Sequence, residues 1–384
     1  MTSTWPATPD VEPGPAPAWG QVGPAARALP TCTPPPASTT ADVCVVGLGA
    51  SGLSAALRLA ERGADVVAVD AHGVASGAAG RNGGFLLAGL ARFHHDAVAS
   101  YGHARAVALY RWTLAELDRT VETLPPDVVR RVGSLRVAAD AEEAADAAHM
   151  LRQLQADGLP AEAYEGPEGR GVLVPTDAVM DPHARCAVLA ERAQAAGVRL
   201  YAPFRVDRLG DGLVTAGQAR IRARRTVVAV DGGLEALLPE LADRVTSVRL
   251  QMLATEPDDG VALSRPVYRR WGYDYVQQLP TGEILLGGCR DRGSAEEGAP
   301  PVPSDDVQRC LDAELRRLGA TAPVVARWAA RAAFTADRLP VCEEVRPGVL
   351  VVGGYSGHGN LVGTACGRSA ADVALDGGRL ALPA

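Results

Sequence analysis

Three glycine-rich segments are the part of this sequence whose residue types and spacing could do chemistry. The first, GLGASG at residues 47–52, has the spacing G-x-G-x-x-G, and Asp70 follows 18 residues after it. In such a motif the first glycine permits a tight turn, the second lets a pyrophosphate approach the backbone, and the third lets helix and strand pack closely. A carboxylate after the next strand can meet a ribose hydroxyl. The segment therefore predicts a bound dinucleotide, without separating FAD from NAD.

The second and third segments contain the chain's only asparagines. They read SGAAGRNGGF at residues 76–85 and GGYSGHGN at residues 353–360, with Asn82 in one and Asn360 in the other. Glycine clusters of this kind form flexible loops or backbone brought close to a ligand. The shared asparagines favour the second interpretation and indicate that the two segments are linked.

The elements around these segments predict two domains. A buried-type strand begins at Asp42, a helix spans Ser51 to Arg62, and a strand spans Asp65 to Val69, which together indicate a parallel unit. Residues 245–290 alternate like antiparallel sheet instead. We therefore expect an α/β fold (α+β overall), in which a Rossmann-like FAD-binding domain, discontinuous in sequence, carries an inserted and mostly antiparallel substrate domain. The expected ranges are 41–125, 175–244 and 325–384 for the first domain, and 126–174 and 245–324 for the second.

Composition narrows the possible environments and partners. The net charge is -7 with no long basic run, so we expect no nucleic-acid partner. No window approaches the roughly 18 apolar residues of a membrane helix. Seven scattered cysteines without a C-x-x-C pair argue against a zinc site and a disulfide framework, and they indicate reduced thiols in a cytoplasm. Residues 1–40 hold ten of the 28 prolines and predict an extended, poorly ordered arm.

Together the three segments resemble the D-amino-acid-oxidase-like (DAO) family of FAD-dependent oxidoreductases, from about Asp42 to Leu375. The elements GRNGG (80–84) and GYSGHG (354–359) carry the resemblance most specifically. TVVAVDG (226–232) looks like the family's strand that ends near the cofactor, although Asp231 stands where many members have glycine. Within the family, the chain looks most like the amine-oxidising branch that includes gamma-glutamylputrescine oxidases.

The resemblance implies FAD as the cofactor. It places the backbone of Val206 near the adenine, and Gly357, His358 and Gly359 against the pyrimidine end of the flavin. The residues assigned to the cofactor are Gly47, Gly49, Ala50, Ser51, Gly52, Asp70, Ala71, Ser76, Arg81, Asn82, Gly83, Gly84, Val206, Gly357, His358, Gly359 and Asn360.

The resemblance also implies the reaction. A primary or secondary amine would lose hydride from the carbon beside its nitrogen to the flavin, the imine would hydrolyse, and O2 or another acceptor would reoxidise the flavin. The alternatives are an amino-acid oxidase or dehydrogenase of the same family, a nicotinamide-dependent dehydrogenase, and a non-catalytic flavin-binding module. We expect no metal, and we interpret the adjacent His94 and His95 as non-metal residues.

Three residues are catalytic candidates: His358, Tyr273 and Arg290. His358 could shuttle a proton, but a histidine beside flavin more often only hydrogen-bonds it. Trp271, Tyr273 and Tyr275 alternate, so on a strand they would share one face, either packing the sheet or forming an aromatic wall for a cationic amine. Arg290 could bind a substrate carboxylate, but we favour a structural pair with an acid such as Asp274.

One position bears on the substrate. Amino-acid-oxidising members such as glycine oxidases place an arginine for the substrate carboxylate where this chain has Ala332. Arg331 is adjacent but would point to the opposite strand face. This favours an amine that lacks an α-carboxylate.

Overall fold

A computed structural model describes residues 14–19, 27–293 and 296–384. Its strands, in chain order, are β1 Ser38–Val46, β2 Val66–Val69, β3 Phe85–Leu86, β4 Val129–Arg131, β5 Ser134–Val137, β6 Glu162–Gly166, β7 Gly169–Val174, β8 Ala178–Met180, β9 Arg199–Tyr201, β10 Arg208–Gly210, β11 Leu213–Ala216, β12 Ala219–Val228, β13 Val245–Pro257, β14 Val267–Arg269, β15 Asp274–Gln278, β16 Glu283–Gly288, β17 Val324–Thr335, β18 Val341–Arg346 and β19 Val349–Gly353.

The α-helices are α1 Ala50–Glu61, α2 His94–Tyr101, α3 His103–Thr123, α4 Ala141–Ala156, α5 Pro182–Ala195, α6 Leu234–Leu237, α7 Asp305–Arg317 and α8 Val362–Asp376. Within the described part of the chain, none of them is both long and apolar enough to cross a membrane.

The first sheet holds the predicted nucleotide-binding motif. Its parallel centre runs β9-β2-β1-β12-β19, and β10, β11 and β18 add antiparallel edges. The apolar segments of its central strands are residues 43–46 of β1, 66–69 of β2, 227–228 of β12 and 349–352 of β19, as a parallel sheet that is covered on both faces requires. Helix α1 packs its buried face on this sheet together with α5 and α8. This confirms the expected Rossmann-like part.

The second sheet has the order β17-β13-β16-β15-β14-β5-β7-β6 and is antiparallel except where β14 pairs with β5. Strand β17 falls in the range expected for the FAD-binding domain. It pairs instead with β13 along most of its length, from Val324 to Thr335. One long strand thus brings the second sheet next to the glycine loops. A third, small sheet has the order β3-β8-β4.

The proline-rich arm is partly packed rather than loose. Ala18 and Trp19 are buried in an apolar cluster with Met252, Leu285 and Trp328 of the second sheet. Farther along, Thr33 forms an isolated bridge with Tyr201 at the edge of the first sheet. Prolines prevent a regular strand here, but they do not prevent a large aromatic side chain from entering the core. Residues 1–13 and 20–26 of the arm lie outside the described residues.

Candidate active site

The first glycine segment forms a turn that only glycine fits at two positions. Gly47 has φ +111°, a conformation that other residues rarely adopt. A Cβ on Gly52 would lie 1.9 Å from the carbonyl oxygen of Gly47. Helix α1 begins within this segment, at Ala50, and no side chain caps its N-terminus, so its free amides face the adjoining cavity. The turn therefore provides an anion site.

Asp70 organises the loop after β2. Its Oδ2 accepts a hydrogen bond from the Leu48 amide at 2.9 Å, and its Oδ1 accepts from the amides of His72 and Gly73 at 2.8 and 3.0 Å. The Ser76 hydroxyl donates to the same Oδ1 at 3.2 Å. Asp70 thus ties the first glycine turn to the second glycine segment while one side of it lines the cavity.

The two asparagines meet, as their placement suggested. Asn360 Nδ2 donates to Asn82 Oδ1 at 3.0 Å and to the Phe85 carbonyl at 2.8 Å. Asn82 Nδ2 in turn donates to the carbonyls of Ala78 and Ala79. The second and third glycine segments are therefore joined by side-chain amides.

Asp231, which departs from the family pattern, has a structural partner set. Its carboxylate accepts hydrogen bonds from the amides of Ala333, Gly354 and Tyr355 at 3.0, 2.9 and 3.2 Å. The pKa of Asp231 is raised to about 6 because desolvation outweighs these hydrogen bonds. The carboxylate joins β17 to the third glycine segment, a role that the motif comparison did not predict.

Two adjoining cavities lie along these loops. The nucleotide cavity, about 460 Å³, is walled by the first and second glycine segments and by the ends of β2 and β12. The aromatic cavity, about 350 Å³, lies between the glycine loops and the second sheet. Eight residues line both: Ala78, Arg81, Asn82, Leu250, Ala330, Ala332, Gly357 and Asn360.

The predicted cofactor residues divide between these cavities. Those lining the nucleotide cavity are Gly47, Gly49, Ala50, Ser51, Asp70, Ala71, Ser76, Arg81, Asn82, Val206, Gly357, Gly359 and Asn360. Gly83 and His358 line the aromatic cavity. Gly52 and Gly84 line neither, and both are packed against backbone, Gly52 on Gly47 and Gly84 on Met180. The predicted cofactor residues thus surround one continuous space, except for Gly52 and Gly84, which lie behind its wall.

Aromatic rings from three strands form one side of the aromatic cavity. Tyr268 and Tyr275 stack at 6.2 Å between centroids, and Phe85 lies edge-on to Tyr275 at 5.8 Å. The His358 ring meets Tyr268 edge-to-face at 6.4 Å. Tyr268 was not among the sequence candidates. The position of Tyr268 in the cavity wall depends on the pairing of β14 with both β15 and β5. No local sequence pattern predicts this pairing.

The predicted strand through Trp271, Tyr273 and Tyr275 is wrong. Residues 270–272 form a 3₁₀ turn in which Trp271 has φ +52°, and β15 begins only at Asp274. Trp271 is 41% exposed, and its indole N–H donates to Asp146 on α4 at 2.7 Å. All three rings still border the aromatic cavity, but Trp271 stands at its outer edge and not on a common strand face.

The predicted pair between Arg290 and Asp274 is also wrong. Asp274 accepts a bond of 2.9 Å from Arg270, which also pairs with Asp291 at 2.8 Å. The guanidinium of Arg290 lies 4.8 Å from the ring centre of Tyr273 and 4.7 Å from that of Phe334. Among the described residues Arg290 has no carboxylate partner. It borders the aromatic cavity with its charge unpaired.

A second guanidinium lies on the same ring. Arg338, in the turn after β17, is 5.2 Å from the Phe334 centroid, and it too has no ion pair in the part of the chain that is described. Desolvation and the charge of Arg290 lower the pKa of Arg338. Arg136 reaches the cavity from β5 but pairs with the buried Asp177 at 3.4 Å. Neither Phe334 nor Arg338 was predicted, although position 334 shares a strand face with Ala332.

His358 reports the electrostatic character of this cavity. The pKa of His358 is lowered to about 4, first by desolvation and then by the nearby charges of Arg136 and Arg338. The imidazole is therefore neutral at pH 7. A backbone hydrogen-bond contact with Ser356 opposes part of this lowering of the pKa, and the buried Nδ1 makes no hydrogen bond of good geometry within the described residues. Such an orphaned polar atom at a cavity wall indicates that a ligand completes it.

The cysteine prediction needs a correction beside Arg290. Cys289 and Cys310 form a disulfide that joins the turn carrying Arg290 to helix α7, with Cα atoms 6.2 Å apart. Sequence spacing could not show this pair, because the two cysteines are brought together only when α7 packs on β16. Cys32, Cys44, Cys186, Cys342 and Cys366 are free thiols, as expected.

The strand face of Ala332 agrees with the sequence argument. Ala332 lines both cavities, whereas Arg331 lines only the nucleotide cavity and lies 3.5 Å from Glu235. Separately, His95 lies 2.9 Å from Asp146 and 3.5 Å from Asp96, a group with the donor types of a cation site. We interpret it as a polar contact between α2 and α4, and the expectation of no metal stays a prediction.

The residues present fit a dinucleotide flavin. The nucleotide cavity offers uncapped helix amides, a positive-φ glycine turn and the Asp70 carboxylate, which suit a pyrophosphate and a ribose. A Cβ on Gly357 would find only Phe334, at 3.8 Å, so the loop leaves room beside the shared wall. The unpartnered Nδ1 of His358 supplies a polar group there.

Comparison with known proteins agrees with this geometry. The family described as "FAD dependent oxidoreductase" (DAO) matches residues 42–373. The chain is 28% identical to a probable oxidoreductase OrdL of Rhizobium meliloti and 27% identical to the gamma-glutamylputrescine oxidoreductase of Escherichia coli, each covering 88% of this chain and 84% of the relative. The crystal structure of glycine oxidase from Geobacillus kaustophilus superposes with a TM-score of 0.72 at 20% identity, over 87% of this chain and 94% of that one.

Proposed function

The chain belongs to the DAO family of FAD-dependent oxidoreductases, and from that premise we propose that it oxidises the C–N bond of an amine that also carries a carboxylate. Bound FAD would take the hydride from the carbon beside the nitrogen and pass the electrons to O2 or another acceptor, leaving an imine that water hydrolyses. The observation that carries the substrate class is the pair of unpaired guanidiniums, Arg290 and Arg338, at the aromatic cavity.

The cavity favours a neutral amine nitrogen. Hydride leaves a carbon more readily when the adjacent nitrogen has a free electron pair, so the ammonium must lose its proton. Desolvation and the charges that lower the pKa of His358 to about 4 would act in the same direction on a bound ammonium. No carboxylate of the protein is needed as a base, because the cavity shifts the equilibrium between ammonium and amine towards the uncharged amine before hydride transfer. This supports binding of the amine in its uncharged form.

The same charges disfavour a simple diamine. A polyamine would bring further positive charge beside Arg290 and Arg338, which the rings of Tyr273 and Phe334 only partly offset. A carboxylate on the substrate would instead pair with a guanidinium, in bidentate geometry where the fork is free. The aromatic rings would then pack the apolar chain between carboxylate and amine. We therefore propose that the aromatic cavity binds a carboxylate, and not a cationic amine against an aromatic wall.

The position of the carboxylate separates two substrates. Ala332, and not an arginine, stands where amino-acid-oxidising members would place the group for an α-carboxylate, which favours an amine whose acid group is more distant. The alternative is an α-amino acid whose carboxylate reaches Arg290 directly, and the unpaired state of Arg290 keeps that candidate open. The acceptor and a cytoplasmic location remain part of the proposal.

The test is anaerobic bleaching of the flavin absorption by matched pairs of amines. Each pair differs only in a carboxylate, such as 5-aminopentanoate against butylamine and glycine against methylamine, with polyamines and D- and L-amino acids alongside. We expect the carboxylated member of a pair to reduce the flavin at lower concentration. The compound class that reduces it identifies which of the two candidates holds.

Two matched variants sharpen the test. Arg290→Met keeps an unbranched side chain but removes the charge, and it should raise the concentration needed for half-maximal reduction by about 10- to 100-fold for the carboxylated amine only. Arg222→Met, at an exposed arginine of β12 that lines neither cavity, is the control. Flavin that no amine reduces, or equal use of both members of every pair, would contradict the proposal.

A further inference from the structure

The loop that carries Arg81 and Asn82 receives unusual support from outside its own domain. Three successive carbonyls, those of Arg81, Asn82 and Gly83, accept hydrogen bonds from Trp328, Trp19 and Gln277 respectively. The first two bonds are each 2.8 Å long and come from indole N–H groups. Trp328 and Gln277 belong to the second sheet, whereas Trp19 comes from the proline-rich arm. The arm thus contributes one of the three donors.

The arm also supplies the hydrogen-bond acceptors of Arg81. The Arg81 guanidinium donates to the carbonyls of Pro15 and Gly14 at 2.7 and 3.1 Å, and to Ser76 and Ala329 at 2.9 and 3.3 Å. All four acceptors are backbone carbonyls. Within the described residues no carboxylate pairs with Arg81, which is 7% exposed. Its hydrogen bonds are therefore satisfied while its charge is not neutralised.

A buried and uncompensated charge at a cavity wall indicates an anionic ligand. Burial lowers the pKa of the Arg81 guanidinium, which reflects the cost of keeping it charged away from water. Arg81 lines both the nucleotide and the aromatic cavity. FAD carries two phosphate charges and gains a further negative charge on reduction, so it can compensate this cation. Two of the carbonyls that hold Arg81 in that position come from the arm.

Residues 14–19 of the arm are closely packed against the rest of the protein. Ala18 and Trp19 are 2% and 3% exposed, in the cluster with Met252 and Trp328. Gly14 lies so close to Pro301 that a Cβ would fall 1.7 Å from the Pro301 carbonyl oxygen. Pro301 itself lines the nucleotide cavity. Residues 14–19 therefore cross from the wall of that cavity to the loop of Arg81 and Asn82.

We propose that residues 14–19, here called the strap, belong to the flavin site and that Trp19 is a positioning residue for FAD. The strap holds the loop of Arg81 and Asn82 in the conformation that faces the cofactor. Strap docking and FAD binding are then coupled, and by linkage each stabilises the other by the same amount. This inference depends on the FAD cofactor alone and is independent of the substrate proposed above.

The first test measures FAD affinity in full-length variants. Trp19→Phe keeps the ring packing and deletes the N–H donor, and we expect the dissociation constant for FAD to rise about three- to tenfold. Gly14→Val displaces the strap from Pro301 without altering any residue that lines a cavity, and we expect a rise of about tenfold or more. Trp112→Phe applies the same substitution to a half-buried tryptophan of α3 that lines neither cavity, and it should change nothing.

The second test separates coupling from general destabilisation. Each affinity is measured on protein whose circular dichroism shows it fully folded, so that lost fold cannot imitate weak binding. In the wild-type protein, amide hydrogen exchange of residues 14–19 should slow when FAD is added, because linkage requires it. The proposal would be overturned by an unchanged FAD dissociation constant in Trp19→Phe and Gly14→Val. It would also be overturned if the rate of amide hydrogen exchange in the strap were the same with and without FAD.

Discussion

The two cavities of this protein are built by different means. The nucleotide cavity is formed by backbone: a glycine turn with positive φ, uncapped helix amides and loops joined by Asp70 and the two asparagines. The aromatic cavity is formed by side chains from β14, β15 and β17 and from two turns. The first kind of site has no room for added atoms at its turn, at Gly47 and Gly52, whereas the second can change its charge and shape one side chain at a time. We therefore expect substitutions to abolish cofactor binding in one region and to alter substrate choice in the other.

The largest effect is expected where backbone makes the site. Gly49→Glu puts a carboxylate at the start of α1, facing the pyrophosphate position, and its Cβ alone would lie 3.2 Å from that of Ala79. We expect FAD affinity to fall by at least about 3 kcal/mol, so that the protein purifies colourless. Ala195→Glu on the exposed end of α5 is the matched control and should remain yellow. A yellow Gly49→Glu protein would disprove the placement of the pyrophosphate.

A smaller effect is expected where the two glycine segments are joined. Asn360→Ala removes the hydrogen bonds to Asn82 and to the Phe85 carbonyl, and it should lower the free energy of unfolding by about 1–3 kcal/mol. Asn360→Asp should cost more, because its carboxylate would face two acceptors. Urea denaturation measures both. If the two variants are equally stable, the hydrogen-bond assignment is wrong.

The two cavities should also respond to pH with opposite signs. His358 has a folded pKa of about 4, below its ordinary value of 6.5, so its contribution to stability is present above pH 6.5 and is lost as the pH falls towards 4. Asp231 has a folded pKa of about 6, above its ordinary value of 3.8, so its contribution is present below pH 3.8 and is lost as the pH rises through 6. Between about pH 4 and 6, the stability contribution of His358 therefore rises with pH while that of Asp231 falls.

The measurement is the free energy of unfolding of the flavin-free protein against pH. The stability advantage of wild type over His358→Gln should shrink by about 1–3 kcal/mol between pH 6.5 and 4. The advantage of wild type over Asp231→Asn should shrink in the other direction, between pH 4 and 6. Parallel slopes for the two variants would refute the assigned environments.

The smallest effect is expected at the outer edge of the aromatic cavity. Trp271 is largely exposed and bonded to Asp146, so Trp271→Phe should change the free energy of unfolding by no more than about 0.5 kcal/mol. Flavin reduction by the preferred amine should change little as well, whereas Tyr268→Ala, at a ring within the cavity, should weaken it clearly. If flavin reduction fell more in Trp271→Phe than in Tyr268→Ala, the sequence prediction that Trp271, Tyr273 and Tyr275 form one aromatic face would be supported instead.

The difference between the cavities also explains what the sequence could predict. The G-x-G-x-x-G turn and Asp70 follow from local backbone requirements, and local requirements leave a pattern in the chain. The link between Asn82 and Asn360 joins distant segments, and it could be predicted because the chain contains no other asparagine. Helix α1 was predicted at residues 51–62 and is found at 50–61, because its sequence pattern is local too. The family assignment rested on the same kind of segment.

The aromatic cavity had no comparable pattern. Whether Arg290 pairs with Asp274 depends on Arg270, whose positive φ turns its side chain onto that carboxylate. The roles of Tyr268 and Phe334 depend on which strands become neighbours in the second sheet, and the disulfide of Cys289 depends on where α7 docks. Pairings between distant segments decide these features, and a single sequence does not show them.

The strap has a practical consequence for anyone who expresses pieces of this protein. The family match begins at residue 42 and the first strand at Ser38, so a fragment trimmed to either boundary would lack Trp19 and both strap carbonyls that hold Arg81. Such a fragment would contain every recognised motif, and one that begins at Ser38 would also contain every strand of both large sheets. We expect it nevertheless to lose its flavin during purification, and the fault would lie in the chosen boundary rather than in the motifs.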